Sequence, residues 1–272
     1  MELKTLRTLD RAVLVRATDV SAAHRYLVAI LHAARIAAIH KAIRDLDAID
    51  FADPAKLTML PFPSPLEVPY QRFKWHKQDD VSHFSYMGRS KFIELYEQTQ
   101  GRDFVEAFES IYLYGPSGSG KSHILAALVC LLIRKGKHVV YIPDCRTLIN
   151  GFIQDIQMAF CFAFHEDIAS FRTIEDLVKF SRDRAWLGGD HRFYIIVDQY
   201  NAFEGDHLKQ EKQKARGSLL EIASGHHLIL SASANEQSHM MAEQKQSGMT
   251  VFKLHGGMDD VRWLLTISVY GV

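Results

Sequence analysis

Short apolar runs alternate with longer helical patterns through the second half of the chain. The first run, Ile111 to Tyr114, is β-branched, aromatic or apolar, and it is followed by His123 to Ile133, where apolar residues recur at helical spacing without Gly or Pro. Three later runs end in polar residues: "KHVVYIPD", "RFYIIVDQYN" and "HHLILSASAN". Strands that alternate with helices predict an α/β fold, with a parallel sheet between two layers of helices.

The junction between the first strand and its helix carries a specific motif. "GPSGSGKS" fits G-x-x-x-x-G-K-[ST], a phosphate-binding loop (P-loop), and the motif has the strand and helix that it requires on either side. The glycines let several backbone N–H groups converge on one anion at the start of the helix. The predicted nucleotide-binding residues of this loop are Gly115, Pro116, Ser117, Gly118, Ser119, Gly120, Lys121 and Ser122.

Within this loop two side chains have distinct expected roles. Lys121 is expected to reach the β- and γ-phosphates of ATP, and the Ser122 hydroxyl to bind Mg²⁺. The alternative, a flexible Gly/Ser linker that happens to contain a lysine, does not account for the strand and helix on either side. The motif therefore predicts a P-loop NTPase with ATP and Mg²⁺ as its cofactors.

The ends of the later strands supply further candidates, because ligands of such sheets bind beyond the carboxyl ends of the strands. Asp198 closes an apolar run in the pattern of a Walker B strand and is the expected second Mg²⁺ residue. Gln199 follows where many ATPases have a glutamate. An amide can orient water but cannot take its proton, so slow or partner-dependent hydrolysis is expected. Asp144 is an alternative base, or equally a loop-capping carboxylate.

Three small polar residues end the fourth strand. Ser231, Ser233 and Asn235 could sense the γ-phosphate, because that strand is expected to lie beside Asp198 in the sheet. Turn formation explains such residues equally well. The histidines have no metal-ligand spacing, and no other catalytic motif is evident.

The first third of the chain has a different pattern. Apolar residues at helical spacing predict a helix with a core-facing stripe, namely Leu27, Ile30, Leu31 and Ala34. A cluster of prolines then disfavours helix and central strand, at positions Pro61, Pro63, Pro65 and Pro69. We therefore predict an N-terminal helical region (1–59), a Pro-rich linker (60–84) and the P-loop NTPase domain (85–272).

Composition limits the partners and the compartment. The chain has 32 basic and 32 acidic residues, so overall charge does not by itself indicate nucleic-acid or membrane binding. Three cysteines without C-x-x-C spacing suit a reducing compartment. The most apolar early segment is broken by charged residues and histidine, so no membrane span is expected. These features predict an intracellular protein of the cytoplasm or nucleus.

Two family resemblances extend this interpretation. Residues Ile111 to Leu148 look like the ATPase core of bacterial helicase loaders and transposition-helper ATPases. Together "YLYGPSGSGKSHILAALVCLLIRKGKHVVYIPDCRTLI", "RFYIIVDQYNAFE", "LILSASAN" and "GGMDDVRW" resemble the P-loop ATPase module of fungal and oomycete Crinkler-type proteins, over roughly residues 85–265. The second resemblance includes Gln199. It implies an AAA+/STAND-like ATPase, often joined to an effector domain that acts in a host nucleus.

Two functions of different classes follow from these patterns. The first is a Mg-ATP-dependent ATPase or switch of Crinkler type. The second is a loader-like scaffold associated with nucleic acid, in which ATP controls assembly with a protein partner or with further copies of the chain. A small-molecule kinase is a weaker third hypothesis, because no arginine-rich lid is evident.

Overall fold

The computed structural model describes residues 20–47, 50–66, 69, 72–73, 75–78, 81–100, 110–164, 171–233 and 249–254. The first elements are helix α1 (Val20–Arg44), strands β1 (Leu57–Pro61), β2 (Trp75–Gln78) and β3 (Val81–Met87), and helix α2 (Lys91–Gln100). The remaining elements are β4 (Ser110–Gly115), α3 (Lys121–Arg134), β5 (Val139–Ile142), α4 (Cys145–Ala163), α5 (Ile174–Leu187), β6 (Tyr194–Val197), α6 (Lys209–Ala223), β7 (His227–Ser233) and β8 (Met249–Lys253).

Five parallel strands form the central sheet, in the order β5-β6-β7-β4-β8. Each of the four strands expected from the sequence is present. Strand β7 lies between the P-loop strand β4 and the strand β6 that ends before Asp198. Because all five strands are parallel, their carboxyl ends meet at one edge, where the P-loop and Asp198 face each other.

Alternate residues of the strands belong to different hydrophobic clusters, which explains the continuous apolar runs. On one face of the sheet, Leu113 and Ile196 pack with helices α1 and α3. On the other face, Tyr112 and Val197 pack with helices α4, α5 and α6. The molecule is therefore an α/β P-loop NTPase fold with three layers, as the sequence predicted.

A small antiparallel sheet, ordered β1-β3-β2, lies beside the first cluster and carries residues of the predicted linker. Phe62, Phe73 and Phe84 are buried there with α3. The prolines at 61, 63 and 65 end strand β1 and shape the turn after it, while the residues that follow return to strands β2 and β3. The region is thus packed core rather than the extended connector that the prolines suggested; the division into three domains stays a prediction.

None of the helices within the described residues is both long enough and apolar enough to span a bilayer. Helix α1 confirms the N-terminal helix, and its buried residues include Ile36, Ile39 and Ile43. Ala34 of the predicted core-facing stripe is exposed, so that part of the stripe was wrong; the burial of Leu27, Ile30 and Leu31 lies outside the described side chains. "GGMDDVRW" and Asn235 lie outside the described residues.

Candidate functional site

The P-loop connects β4 directly to α3. Gly120 precedes the helix with φ of 80°, and no side chain caps the first turn. The first N–H groups of a helix have no acceptor within the helix, so this uncapped start directs donors and the positive end of the dipole toward the loop. The sequence produces this geometry locally, because glycine adopts positive φ without steric cost.

Two of the loop glycines are also required by close packing. A Cβ on Gly115 would lie 2.2 Å from the carbonyl oxygen of Leu254, just after β8. A Cβ on Gly120 would lie 2.0 Å from the Arg89 guanidinium, which donates a 2.6 Å hydrogen bond to the Ser119 carbonyl. Neighbouring segments therefore hold the loop from both sides.

The Lys121 ammonium points back into the loop. It donates to the carbonyl oxygens of Gly115, at 2.5 Å, and Pro116, at 2.8 Å, and to Ser119 Oγ at 3.3 Å. The side chain is almost fully buried, and burial lowers its pKa while the charge of Asp198 opposes that shift. Among the described residues, Lys121 is therefore bound by carbonyl dipoles and a hydroxyl, and no carboxylate forms an ion pair with it.

Asp198 lies across the sheet edge from Lys121 and is fully buried. Its Oδ1 accepts hydrogen bonds from Ser231 Oγ, at 2.8 Å, and from the Gln199 N–H, at 2.9 Å. Burial raises its pKa, while Arg72 and hydrogen bonds from Ser122, Ser231 and Gln199 oppose that shift. Because Ser122 is among the groups that lower the pKa of Asp198, the two predicted metal residues lie close to each other.

The remaining oxygen of Asp198 is bound by Arg72, which precedes strand β2. Its Nη1 donates to Asp198 Oδ2 at 2.8 Å and to the Pro143 carbonyl at 3.1 Å. Its Nη2 lies 2.5 Å from Asp144 Oδ2. The Arg72 side chain is only 16% exposed, so one guanidinium joins two carboxylates in a largely desolvated position.

Asp144 has a structural explanation. It precedes helix α4, where its Oδ1 accepts the Arg146 N–H at 3.0 Å, and the Arg146 guanidinium contacts both of its carboxylate oxygens. Burial raises its pKa, but Arg146 and Arg72 outweigh that effect, so the net pKa is lowered. A carboxylate that caps a helix and pairs with two guanidiniums is a poor proton acceptor. The structure therefore favours the capping role of Asp144 over the catalytic one.

Gln199 follows Asp198 in a left-handed conformation, with φ of 60°. A non-glycine residue in this region is uncommon and is often found at functional sites. The turn lets its N–H return to the carboxylate of Asp198, while the side chain is half-buried at the edge of the site. Whether Gln199 orients water stays a prediction.

Strand β7 contributes the predicted polar residues unequally. Ser231 is buried and contacts Asp198 directly, because β7 is the neighbour of β6 as the sequence predicted. Ser233 pairs in register with Gly115, which puts its backbone beside the P-loop. Ser231 thus has a role in positioning Asp198, and sensing of a γ-phosphate stays a prediction for both serines.

Sequence reasoning missed Arg72, which contacts Asp198, and Arg89, which contacts the P-loop. Both precede the P-loop: Arg72 lies in the predicted linker and Arg89 near the start of the predicted NTPase domain. Arg89 follows β3 by two residues and is fixed by its N–H to the Phe51 carbonyl at 3.0 Å. No motif identifies either residue; a lone arginine before a phenylalanine or after a glycine carries no periodic signal.

Mg²⁺ fits the residues present. Ser122 supplies a hydroxyl and Asp198 a carboxylate, which are hard oxygen ligands of the kind that Mg²⁺ takes. Among the described residues, no group of three or more His, Cys, Asp or Glu could hold a metal ion alone. This suits a cation that takes one or two protein oxygens and completes its shell with water and phosphate.

Part of the site matches a known family. Residues 70–154 match the model of the IstB-like ATP binding protein family, which spans the P-loop and both arginines. The match covers less than a third of the chain, so the similarity applies to this module. No match was found among the curated proteins.

Solved structures give a looser likeness. The chain is similar to AMPPCP-bound DnaA from Aquifex aeolicus, at 13% identity, covering 66% of this chain and 50% of that one with a TM-score of 0.38. A DNA replication initiation factor (14% identity, 65% and 47% covered, 0.38) and C. elegans PCH-2 (13%, 66% and 48%, 0.38) are comparable. The chain spans about half the length of these proteins. Superpositions this loose carry no argument about function.

Proposed function

We propose that this protein binds Mg-ATP at the carboxyl edge of its parallel sheet and acts as a slow ATPase or ATP-dependent switch. One observation carries the proposal: the P-loop lysine and the Walker B aspartate lie buried at the same sheet edge, close enough for the charge of Asp198 to act on Lys121. The match of residues 70–154 to an ATP-binding family supports the nucleotide. The Crinkler-type resemblance of the sequence remains part of this proposal.

The phosphates would be held by the loop and the start of α3. Free N–H groups of the first helical turn donate to phosphate oxygens, and Lys121 exchanges its weak contacts with two carbonyls for a charged acceptor. This exchange is favourable because a phosphate oxygen gives the ammonium a full negative charge, whereas a carbonyl oxygen gives it only a dipole. Arg89 keeps the loop in place by its bond to Ser119.

Ser122 and Asp198 would hold the metal, which when bound neutralises charge on the β- and γ-phosphates. Ser231 and the Gln199 N–H fix the Asp198 carboxylate by binding its Oδ1. Gln199 directly follows Asp198 and is the residue proposed to act on the attacking water. Its amide can orient water but cannot accept a proton. Turnover is therefore slow unless a partner supplies a base or a further positive charge.

Nucleotide titration tests this function. Purified protein should bind a fluorescent ATP analogue more tightly with Mg²⁺ than with EDTA, and ATP should compete for the same site. Phosphate release should be measurable but slow. Failure to bind ATP by a protein that melts cooperatively would overturn the proposal.

A loader-like scaffold is the second candidate. The family match at 70–154 contains the segment from Ile111 to Leu148, whose sequence resembles helicase loaders. Nucleic acid and further copies of the chain are the partners to test. Sedimentation with and without a non-hydrolysable ATP analogue, and phosphate release with and without DNA, separate the candidates. Nucleotide-dependent assembly with unchanged turnover supports the scaffold; turnover without assembly supports the switch.

A further inference from the structure

Within the described part of the chain, Arg72 is the one basic side chain that forms an ion pair with Asp198. Asp198 Oδ1 is already engaged by Ser231 and Gln199, and Arg72 takes Oδ2. A divalent cation at this edge needs the same negative charge. Arg72 and the metal therefore draw on one carboxylate.

The surroundings of Arg72 allow the guanidinium to leave without unfolding the segment. The next residue, Phe73, is buried and packs on Phe62, Phe84 and the His123 ring, at centroid distances of 5.3, 5.3 and 4.6 Å. The backbone is thus anchored beside the P-loop helix. Rotation about the side-chain bonds of Arg72 would release Asp198 without moving this backbone.

The guanidinium of Arg72 contacts two carboxylates, which differ in whether they have a second charged partner. Arg72 Nε and Nη2 are buried without a hydrogen-bond partner among the described residues, and Nη2 has only its ion-pair contact with Asp144. The hydrogen bonds of the guanidinium are those from Nη1 to Asp198 and the Pro143 carbonyl. Asp144 remains neutralised by Arg146 when Arg72 leaves. The main electrostatic cost of release therefore falls on Asp198, the carboxylate to which the cation would bind.

We propose that Arg72 is a built-in competitor of Mg²⁺: it neutralises Asp198 before metal binding and must be displaced when Mg-ATP binds. This inference rests on the proposed function and adds its regulation. Arg72 weakens the metal dependence of ATP binding in two ways. Its positive charge repels the metal cation. It also neutralises Asp198 and so reduces the repulsion between that carboxylate and metal-free ATP.

Arg146 provides a matched control for this idea. Both arginines contact Asp144, but only Arg72 contacts Asp198. Substitutions Arg72→Gln and Arg146→Gln each remove one guanidinium from Asp144, and only the first removes the charged partner of Asp198. A charge-balanced double variant, Arg72→Gln with Asp144→Asn, avoids repulsion between the two carboxylates and is compared with Asp144→Asn alone.

The experiment measures the dissociation constant of a fluorescent ATP analogue in EDTA and in saturating Mg²⁺, for each full-length protein, after thermal melting has verified folding. The ratio of the EDTA value to the Mg²⁺ value should rise by about tenfold or more in Arg72→Gln and in the double variant. It should stay near the wild-type ratio in Arg146→Gln. Where the single variant does not fold, the double variant decides the question.

The contrary outcomes are distinct. An unchanged or lower ratio in the folded Arg72 variants overturns the inference while the proposed function stands. An unchanged ratio together with weaker binding in both conditions would assign Arg72 to the phosphates. If no protein binds nucleotide in either condition, the proposed function falls and this inference falls with it.

Discussion

The proposed site has a phosphate end, at Lys121 in the P-loop, and a metal end, at Asp198. The charges of these two side chains are balanced by different kinds of partner. At the phosphate end, Lys121 contacts carbonyl and hydroxyl groups that lie no more than six positions away in sequence. At the metal end, Asp198 contacts Ser231, 33 positions away, and Arg72, 126 positions away. The first end is a local turn, and the second is assembled by tertiary folding.

This difference has a physical consequence. Carbonyl dipoles are weak partners for an ammonium, so a phosphate displaces them readily. A guanidinium paired with a buried carboxylate is harder to replace, because each charge is costly to leave without a partner. Changes at the phosphate end should therefore affect ligand binding alone, whereas changes at the metal end should affect binding and stability together.

The largest effect is expected from Lys121→Ala. Triphosphate affinity should fall by about a hundredfold or more, because a buried charged hydrogen bond to phosphate is lost. The melting temperature without nucleotide should change little, since the partners of the lysine within the described residues are carbonyl and hydroxyl groups. Nucleotide titration and thermal melting check both, with exposed Lys214→Ala as the control. Normal affinity in a folded Lys121→Ala protein would remove the basis of the P-loop assignment.

Asp198→Asn should cause the next largest effect. Affinity for ATP should fall roughly tenfold or more with Mg²⁺ and much less with EDTA, since the variant loses the charge that attracts the cation. The protein should also be less stable, because Arg72 keeps only Asp144 as a charged partner. Parallel titrations and urea unfolding measure this, with exposed Asp190→Asn as the control. Equal losses with and without metal would make Asp198 purely structural.

Gln199→Glu tests the missing base. A carboxylate can accept the proton that the amide cannot, so single-turnover hydrolysis should speed up by about tenfold or more at saturating Mg-ATP. Gln199→Asn is the matched amide control, and its rate should not rise. A glutamate variant that binds ATP normally but hydrolyses no faster would show that a partner or another group supplies the base.

Ser231→Ala should have a smaller effect at the metal end. It removes the hydroxyl bound to Asp198 Oδ1, so the free energy of unfolding should fall by about 1–3 kcal/mol. The Mg²⁺ dependence of ATP binding should change only a fewfold. Urea unfolding measures the first quantity, and exposed Ser224→Ala is the control. No loss of stability would mean that the hydrogen bond is dispensable in folding.

Acid should weaken the fold at the opposite edge of the sheet, away from both ends of the site. His226 is buried with a 2.9 Å contact from Nε2 to the Ser181 carbonyl and a 3.4 Å contact from the Phe193 N–H to Nδ1. Both contacts suit the neutral ring, and burial lowers its pKa to about 4 from 6.5. Because the unfolded state binds the proton more readily, stability should fall as pH drops from about 6.5 toward 4.

At pH 5 this loss should be on the order of 2 kcal/mol for the one imidazole. Urea unfolding of wild type and His226→Gln at pH 7 and pH 5 checks the effect, and the variant should lose less stability between the two. An equal loss in both would assign the pH dependence to other groups. Tests of ATP affinity against pH therefore belong above pH 6.5, where this histidine does not contribute.

Local patterns in the sequence were sufficient for the fold class, four strands of the main sheet, the P-loop and Asp198. Each of these features depends on residues that are neighbours in sequence. The apolar runs follow from the pleat of a strand, the glycines permit the turn before α3, and Asp198 is recognised by its place at the end of an apolar run. Ser231 followed from one further step, the expected adjacency of its strand to Asp198. These features need no knowledge of distant contacts.

Tertiary structure alone decided the strand order, the antiparallel sheet within the predicted linker, strand β8, and the positions of Arg72 and Arg89. It also favoured capping for Asp144, which the sequence had left open. Arg72 meets Asp198 because β1, β3 and Phe73 pack against α3, and side-chain periodicity does not encode a contact across 126 positions. Long-range charge pairing of this kind depends on how whole elements pack, which a local pattern cannot specify.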